Sequence, residues 1–579
     1  MSEHSLSERG AARRQMLISS AATAGGMAVG TIAGNASAAS GSSNTWTPTP
    51  VASPSTPPFM MPLPTYLPKQ PVSALNPPSS MAPVAGTAEC GRPPHQHWAD
   101  FEPKKFYELV VKEADHEFHP NLPKQTIWGY DGILPGPTFE ARYGEPIMVR
   151  IHNQLPANHV GYGTPEISTH LHNLHCGSES DGFTGDYYST TKFGPTMTGP
   201  GEYKDHLYSN CKAGYDNSPT TDGDPTEALG TLWYHDHRID FTAQNVYKGL
   251  TGFYLIFDEI DSGNEIDPNP NALRLPSGIG KYDIPLVFQD KSFDSSGYMV
   301  FDQFNTDGLL GDKFCVNGKI QPYFKVEPRK YRFRLLDGGP SRFYEFYLTY
   351  NGVDQDFTYL ANDGNLLPAP LTMKKVRLAV AERADIVIDF SKYPPGTSLF
   401  LVNKLEQLNG RGPSGNILNP GTQLLRFDIG SSISGGIDRS QVPAKLRDLP
   451  MINLREVVTT RVWEFTRSPG GWSVNDKLFD VSVASATPKQ GTAEIWVLCV
   501  RGDWTHPIHI HFEEGRILTR NGVAPPPHER GRKDVYSVGN NEELRIFLRF
   551  RDYVGKYMMH CHNLVHEDHA MMIRWDIVK

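Results

Sequence analysis

The chain has no long hydrophobic run and only a small excess of charge. Its one mildly apolar stretch, which ends near Ile32, is too short and too rich in glycine to span a bilayer. A net charge of −9 over 579 residues argues against a nucleic-acid partner. The sequence therefore predicts neither a membrane protein nor a nucleic-acid-binding protein.

Amphipathic helical patterns are also scarce. Short runs of β-branched and aromatic residues dominate instead, bounded by Gly, Pro, Asn or Asp, and they indicate the strands of β-sandwiches. These runs lie at residues 146–151, 286–288, 331–336, 344–348, 384–389 and 544–550. About 520 residues follow residue 60, which is too many for one core. We therefore expect three all-β domains, at residues 60–260, 275–430 and 440–579.

The first residues resemble an export signal of the twin-arginine (Tat) type. Arg13 and Arg14 precede the weakly apolar stretch, and Ala36-Ser37-Ala38 offers a small-residue cleavage site. A signal peptide over residues 1–39 predicts a periplasmic or extracellular protein. Residues 41–90 then carry 12 prolines, which favours extended chain. A disordered Pro/Ser-rich linker is expected at residues 40–59, with folded structure from about residue 60.

Histidines are paired far more often than composition requires. With 21 His in 579 residues, roughly one i, i+2 pair is expected by chance, yet five occur. Alternate residues of a strand share a face, so each pair directs two imidazoles to the same side. Four of the pairs are His170/His172, His235/His237, His509/His511 and His560/His562, and the fifth is His95/His97. We expect the four pairs to place eight imidazoles around a common centre.

Eight neutral imidazoles suit three metal ions, because imidazole prefers copper, zinc, iron or nickel and a four-coordinate ion uses about three or four. This set predicts a trinuclear cluster. Cys561 lies between His560 and His562 and therefore points to the opposite face of the strand. A thiolate, two imidazoles and a weak axial thioether form the blue-copper pattern. Cys561, His566 and Met571 supply three of these ligands, and His506, of opposite parity to His509, can join them.

These four segments resemble the four copper-binding motifs of the multicopper oxidases in their order and approximate spacing. The similarity is greatest to the spore-coat-type bacterial laccases, with bilirubin oxidases and phenoxazinone synthases as relatives. It extends over residues 126–140, 230–257 and 505–518, and to nearly everything after about residue 60. Residues 62–71 also resemble the arm with which this subfamily wraps its first domain.

The resemblance implies a fold of three cupredoxin-like Greek-key β-sandwich domains, with all ligands in the first and third and the cluster at their interface. The middle domain would be a spacer and pocket wall. It implies a laccase-like enzyme, a benzenediol:oxygen oxidoreductase. Such an enzyme couples one-electron oxidation of phenols or aromatic amines to four-electron reduction of dioxygen to water.

The resemblance also implies four copper ions and a role for each ligand. The type 1 copper would be held by His506, Cys561 and His566 with Met571 axial, the type 2 copper by His170 and His509, and the type 3 pair by His172, His235, His237, His511, His560 and His562. The family usually has Gly after the first pair, where this chain has Asn173. Asn is the next best tolerated residue in the left-handed region. The edge of His566 would be the entry point for electrons.

Two carboxylates match acidic residues that the family places near its cluster. Dioxygen reduction consumes protons, so exchangeable carboxylates are expected beside the cluster. Asp181 would serve the type 2 side and Glu567 the type 3 pair. The structural alternatives are a turn-forming Asp-Gly for Asp181 and an ordinary surface acid for Glu567.

Several simpler interpretations compete with these assignments. His95 and His97, in a Pro-rich stretch, are expected not to bind metal, and His175 and His569 are expected beside the ligands or at the surface. Met572 follows Met571, but the position of Met571 ten residues after Cys561 favours it as the ligand. Five cysteines remain beside Cys561; an oxidising compartment permits a disulfide, and Cys176 with Cys211 is the expected pair, with Cys499 a buried thiol.

The alternative function is a metallo-oxidase that acts on Mn(II), Cu(I) or Fe(II). It would need carboxylates or methionines around the type 1 site. The chain has only 15 Met and no Met-rich insert, which counts against a cuprous oxidase. Glu513 and Glu514 could bind a cation, although adjacent acids are usually solvated. A cupredoxin that only carries electrons would not need the paired imidazoles, and the oligomeric state is not predicted.

Overall fold

The computed structural model describes residues 52–185, 197–215 and 223–579, and the backbone of a short hairpin at 187–189 and 192–193. The predicted signal peptide and residues 40–51 of the predicted linker lie outside these residues. The all-β prediction is confirmed: strands form three successive pairs of sheets. Two short helices, α1 (Thr242–Lys248) and α2 (Leu564–Asp568), and four 3-10 turns (Pro225–Glu227, Phe390–Lys392, Leu454–Glu456 and Pro527–Glu529) complete the described part.

The first sandwich packs two four-stranded sheets against each other, in the orders β2-β1-β4-β8 and β3-β10-β9-β5. Its eight strands are β1 (Lys105–His116), β2 (Gln125–Tyr130), β3 (Gly136–Arg142), β4 (Ile147–Asn153), β5 (Thr169–His172), β8 (Tyr203–Tyr208), β9 (Thr231–Asp236) and β10 (Thr251–Phe257). The short strands β6 (Tyr187–Ser189) and β7 (Lys192–Phe193) form a separate two-stranded hairpin. Aromatic and β-branched residues such as Trp128, Val149 and Tyr254 fill the space between the sheets.

The second sandwich is the largest. Its sheets run β14-β13-β11-β16-β22-β19-β20, with β12 beside β11, and β15-β24-β23-β17-β18, with β21 beside β17. The strands are β11 (Asp283–Phe293), β12 (Met299–Val300), β13 (Lys313–Val316), β14 (Lys319–Ile320), β15 (Tyr323–Val326), β16 (Lys330–Asp337), β17 (Tyr344–Tyr350), β18 (Val353–Gln355), β19 (Phe357–Asn362), β20 (Asn365–Met373), β21 (Lys375–Leu378), β22 (Arg383–Asp389), β23 (Ser398–Leu405) and β24 (Ile417–Ile429).

The third sandwich has sheets in the orders β26-β25-β28-β33-β30-β31 and β27-β35-β34-β29-β32. Its strands are β25 (Val457–Ser468), β26 (Gly471–Val474), β27 (Ala484–Ala486), β28 (Thr492–Val500), β29 (His506–Ile510), β30 (Gly515–Arg520), β31 (Arg532–Lys533), β32 (Val535–Val538), β33 (Glu543–Phe550), β34 (Gly555–Cys561) and β35 (Met572–Ile577). Helix α2 lies between β34 and β35. Its Asp568 carboxylate accepts the backbone N–H groups of Thr242 and Ala243, at 2.9 and 3.0 Å, and so joins α2 to the start of α1.

The segment before the first strand differs from the prediction. Residues 52–59, expected to be disordered, contact the second sandwich: the Ser53 N–H donates to Asp312 at 3.0 Å and the Phe59 N–H to the carbonyl of Gln321 at 2.7 Å. Leu63 then lies in the core of that sandwich. The arm also contacts the first sandwich, where the Pro57 carbonyl lies 2.8 Å from His119 Nε2 and the Lys69 N–H donates to Thr138. Proline limits the loss of entropy when such a chain is ordered, so a Pro-rich arm can pack where side chains and backbone groups find partners.

The predicted disulfide between Cys176 and Cys211 is wrong, because neither residue takes part in a disulfide bond. The two belong to different cores: Cys176 is buried in the first sandwich and Cys211 against the third. Cys499, expected to be buried, is half-buried. Among the described residues, no helix has the length and apolarity needed to span a membrane.

Candidate metal centre

Two neighbouring strands of the third sandwich carry most of the candidate ligands. In the antiparallel pair of β29 and β34, Ile508 lies opposite Cys561 and His509 opposite His560. Side chains alternate along each strand, so one face of the pair carries Cys561 and the other the paired imidazoles. Ile508 packs with Cys561 in the apolar core of the third sandwich. The sheet itself therefore separates a thiolate site from a histidine site.

The thiolate site brings together His506, which strand parity assigns to it, with Cys561 and His566, which the blue-copper pattern assigns to it. The Cys561 Sγ atom lies 3.3 Å from His506 Nδ1 and 3.6 Å from His566 Nδ1, and the two Nδ1 atoms are 3.2 Å apart. All three side chains are fully buried. One sulfur and two ring nitrogens at the corners of a small triangle match the trigonal donor set of a blue-copper site.

The two adjacent methionines take different environments. Met571 lies in the same buried cluster as Cys561, and its carbonyl accepts the Cys561 N–H at 3.0 Å. Met572 packs in a separate cluster with Phe183 and Met558. This arrangement agrees with the choice of Met571 as the thioether beside the thiolate site.

The eight paired histidines converge where the first sandwich meets the third. Strands β5 and β9 pair so that His170 lies opposite His235, and these two strands face β29 and β34. The ring nitrogens form three close groups, in each of which the donor atoms lie within 4.8 Å of one another. The groups are His170, His172 and His509; His172, His235 and His562; and His237, His511 and His560.

Nine of the candidate ligand imidazoles have a lowered pKa and are therefore neutral. Burial lowers the pKa of His506 and of His235 to about 3 and that of His237 to about 4. Burial and neighbouring rings also hold the pKa well below its usual range in His170, His172, His509, His511 and His562, and burial does so in His566. Neutral imidazole is the form that binds a metal.

The packing of the rings leaves their lone pairs directed at one another. The His237 Nε2 atom lies 3.1 Å from His560 Nε2 and 3.2 Å from His511 Nε2. Among the described residues, neither ring nitrogen of His562 has a hydrogen-bond partner. Buried acceptors that converge without donors are costly unless a cation lies between them. The nitrogen and sulfur donors fit copper, which binds both imidazole and thiolate.

The two predicted carboxylates contact the outer nitrogens of these rings, and both are fully buried. The Asp181 carboxylate accepts from His511 Nδ1 at 2.8 Å, and its other oxygen lies 3.6 Å from His170 Nδ1. Glu567 reaches His560 Nδ1 at 2.9 Å and His237 Nδ1 at 3.3 Å. Burial raises the pKa of Asp181 well above its usual range. Glu567 is therefore not a surface acid, because α2 turns it toward the cluster.

A third carboxylate, Asp534, also contacts a ligand histidine, and the sequence did not predict it. The Asp534 Oδ1 atom lies 3.3 Å from His172 Nε2, and both Asp534 oxygens accept from the Arg383 guanidinium at 2.7 Å. Arg383 belongs to β22 of the second sandwich, which the sequence predicts to be only a spacer and pocket wall. No motif signals this ion pair, because Arg383 and Asp534 meet only through the packing of the second sandwich on the third.

The edge of His566 is covered, contrary to the expectation that it faces incoming electron donors. The Trp472 ring stacks on His566 with 3.7 Å between ring centroids, and His566 Nε2 lies 2.9 Å from the Asp307 carbonyl. His566 is 0% and Trp472 1% exposed, whereas Trp504, in edge contact with Trp472, is 8% exposed. A loop of the second sandwich and two tryptophans thus separate this imidazole from solvent.

The four histidines that were not expected to be ligands, His95, His97, His175 and His569, lie outside the three groups. His97 contacts Asp100 at 3.2 Å, His175 contacts Asp552 at 2.6 Å, and His95 lies 3.9 Å from Glu179. His569 contacts the carbonyl of Val565. Asn173, after the first pair, has a φ of 74°. This is the left-handed region, which Asn tolerates next best after the Gly that the family usually has there.

Comparisons with known proteins agree with this geometry. Two segments, residues 452–579 and 111–198, match family models described as multicopper oxidase. The chain is 34% identical over 477 residues to a bilirubin oxidase of Albifimbria verrucaria, covering 81% of this chain and 75% of that one. It is 32% identical over 526 residues to a laccase of Bacillus subtilis (strain 168), covering 82% of this chain and 94% of that one.

The fold is also that of solved multicopper oxidases. A laccase from Pediococcus acidilactici Pa5930 superposes with a TM-score of 0.69 at 24% identity, covering 91% of this chain and 96% of that one. Its similarity concerns the fold, which consists of cupredoxin-like domains. With the sequence relatives and the buried thiolate and histidine sites, these matches place the chain in the multicopper oxidase family, as a copper-using oxidoreductase that takes electrons from a reductant and passes them to dioxygen.

Proposed function

We propose that this chain is a laccase-like oxidase that couples one-electron oxidation of phenols or aromatic amines to four-electron reduction of dioxygen to water. One observation carries the proposal: Cys561 lies in the thiolate site while its two chain neighbours, His560 and His562, lie in two different histidine groups. A single tripeptide therefore joins the site that receives electrons to the site that uses them.

Four copper ions would occupy these sites. The thiolate site would hold the type 1 copper with His506, Cys561, His566 and Met571, and His170 and His509 would hold the type 2 copper. The grouping of ring nitrogens divides the type 3 ligands into His172, His235 and His562 for one ion and His237, His511 and His560 for the other. Bound copper supplies reversible one-electron chemistry at the thiolate and a binding place for dioxygen among the imidazoles.

The residues around the metals have separate tasks. The Cys561 sulfur, the backbone and an adjacent imidazole form a path of roughly 12 Å, judged from Cα spacing plus two side chains. Asp181 can hold a proton beside the histidine cluster, because burial raises its pKa well above its usual range. His560 and His237 outweigh the effect of burial on Glu567 and hold its pKa at about 2, so its carboxylate accepts protons from the cluster side. Arg383 and Asp534 orient His172 by fixing its Nε2 atom.

The surroundings of His566 favour an organic donor over a metal ion. The Asp307 carboxylate beside it is already paired with Arg467 at 2.5 Å, and Arg467 lies over the Trp472 ring. Glu513 and Glu514 are only 2% and 6% exposed, so they are not a surface cation site. Relatives named laccase and bilirubin oxidase support the same choice. The metallo-oxidase acting on Mn(II), Cu(I) or Fe(II) is the alternative that experiment must separate.

Oxygen uptake by the copper-loaded enzyme tests the proposal. A phenol, an aromatic amine, Mn(II), Fe(II) and Cu(I) would each be supplied as the only reductant, and kcat/KM compared. We expect the aromatic donors to be turned over fastest, with one dioxygen consumed for every four electrons. Much faster turnover of a metal ion would favour the metallo-oxidase. An enzyme without an intense visible charge-transfer band would lack the type 1 site.

We also propose that the chain is exported in its folded state through the Tat-type signal at residues 1–39. The support is the sequence alone, in particular Arg13 and Arg14 before the weakly apolar stretch. Cell fractionation of the unaltered chain and of the double Arg13→Lys, Arg14→Lys variant tests it. We expect the unaltered chain outside the cytoplasm and the variant inside. Equal export of both would reject a twin-arginine signal.

A further inference from the structure

Two small cavities meet at a group of buried charges beside the histidine cluster. The inner one, of about 10 Å³, reaches Asn173, the residue after His172, and is large enough for roughly one water molecule. The outer one reaches Met451, whose side chain is 82% exposed. The charged side chains that line both are Glu227, Glu513, Glu514 and Arg532. They form a polar connection from the surface to the first histidine pair.

Glu514 occupies the middle of this connection, where all three sandwiches meet. It precedes β30 of the third sandwich, and its Oε1 atom accepts from the Asn173 amide of the first sandwich. The same oxygen accepts from Asn365 of the second sandwich at 3.0 Å. Its Oε2 atom lies 2.5 Å from Arg532 Nη2. Among the described residues, Glu514 therefore links the outer charges to the side chain that follows a cluster histidine.

Glu227 cannot bind and release a proton near neutral pH, because neighbouring guanidinium groups hold it ionised. Arg532, Arg551 and Arg549 lie 2.8, 2.9 and 3.7 Å from its oxygens. Burial raises its pKa, but these cations outweigh burial and hold the pKa at about 2. Arg532 is therefore shared between Glu227 and Glu514, so its positive charge compensates Glu514 only in part.

We propose that Glu514 is a proton-relay residue for dioxygen reduction, taking protons from solvent through the outer cavity and passing them to water in the inner cavity, beside Asn173, on the way to the histidine cluster. This relay role of Glu514 rests on the proposed oxidase function. Four electrons from the reductant and four protons from solvent convert one dioxygen to two waters. For each proton that Glu514 gives inward, it regains one from solvent. Asp181 and Glu567, which touch ligand nitrogens, would then be resupplied from outside.

The charges that face Glu514 allow both protonation states near neutral pH. Burial raises its pKa to about 7, against the opposing effect of Arg532 and of the amides of Asn365 and Asn173. The ionisable groups around it are Arg532, Arg383, Asp534, Glu227, Glu513 and Tyr143, together with His175, Cys211, Arg516 and Arg549, which line the same two cavities. A relay needs a pKa near the working pH, because it must both accept and release a proton.

The test compares Glu514→Gln with Glu543→Gln, a control on β33 whose side chain is 49% exposed. Glutamine keeps the hydrogen bonds to Asn365 and Asn173 but cannot carry a proton. Two properties are measured on the copper-loaded enzyme: anaerobic reduction of the type 1 copper by a phenol, and reoxidation of the reduced enzyme by dioxygen between about pH 5 and 9. Infrared spectra of the copper-free protein over the same range follow the buried carboxyl group directly.

We expect Glu514→Gln to slow reoxidation by about tenfold and to flatten its pH profile, with type 1 reduction unchanged. The infrared intensity of protonated carboxyls that titrate near neutral pH, to which other buried carboxyls such as Asp236 also contribute, should be lower by one group in Glu514→Gln than in the control. Glu514→Asp, which retains a carboxyl, should recover part of the rate and of the pH dependence, which a purely structural role would not restore.

Reoxidation of Glu514→Gln at the unaltered rate and with the unaltered pH profile would overturn the relay, as would an infrared spectrum in which Glu514 stays ionised throughout. If the unaltered enzyme itself fails to reduce dioxygen, the proposed oxidase function fails instead. The unaltered enzyme thus separates the two failures.

Discussion

The Nε2 atom of His566 lies 2.9 Å from the backbone carbonyl oxygen of Asp307, so a loop of the second sandwich holds an imidazole of the third. An N–H at Nε2 donates to that carbonyl and leaves Nδ1 as the acceptor that faces Cys561. The tautomer needed at the thiolate site is therefore fixed by a domain that supplies no ligand. Such outer contacts orient metal-bound imidazoles and raise their basicity.

Replacing the thiolate should uncouple the two sites. We expect Cys561→Ser to lose the intense visible band and to reduce oxidase activity to background, because the hydroxyl oxygen is a poor substitute for a thiolate in copper binding. Visible absorption, copper content and oxygen uptake measure this. Cys499→Ser is the matched control, since that thiol is half-buried and donates to the Trp463 carbonyl at 3.5 Å. Undiminished activity in Cys561→Ser would disprove the proposed electron path.

The two buried carboxylates should affect dioxygen reduction and spare electron entry. We expect Asp181→Asn and Glu567→Gln to keep the visible band and to lower kcat by ~10²-fold or more, as is typical when a proton-transferring group is lost. Stopped-flow reduction and reoxidation separate the two half-reactions. Asp448→Asn is the control, because its side chain is 70% exposed. Unchanged turnover with both carboxylates replaced would remove them from the proton path.

The ion pair between Arg383 and Asp534 should matter for metal retention. Arg383→Met would remove the guanidinium that opposes the effect of burial on Asp534, whose pKa burial raises to about 8, so Asp534 would bind a proton and lose both hydrogen bonds from Arg383. It would also release His172, so copper in the histidine cluster should be lost to a chelator at ~10- to 100-fold lower concentration. Arg545→Met, at a side chain that is 39% exposed, is the control. Equal copper retention in both variants contradicts the orienting role.

The copper-free chain should lose stability as the pH falls. Burial lowers the pKa of His506 from 6.5 to about 3, so the unfolded chain binds a proton there below about pH 6.5 and the folded chain does not until about pH 3. Within this window each such imidazole reduces the free energy of unfolding by about 1.4 kcal/mol per pH unit. We expect the urea midpoint of the copper-free chain to fall between about pH 7 and 5. A midpoint that stays level or rises over this range would contradict these pKa shifts.

The alternation of side chains along strands predicts much of the site without reference to any tertiary contact. Side chains alternate along a strand, and this is a local property of the backbone. The sequence alone therefore predicts that the Cys561 side chain points to the opposite face of the strand from His560 and His562, and that His506 and His509 point to different faces. The same local patterns of β-branched runs and turns indicated β-sandwiches. The residue type left a positive φ at position 173 as one of two possibilities, and the structure decides for it.

What the sequence could not decide depends on which distant segments pack together. The three histidine groups, the cover of Trp472 and Asp307 over His566, and the separate cores of Cys176 and Cys211 all join residues far apart in the chain. The burial of Glu514 and its contact with Asn365 likewise exist only where the three sandwiches meet. Local spacing fixes the direction of a side chain, but distance, burial and pKa depend on its neighbours in space, and those are set by the packing of whole domains.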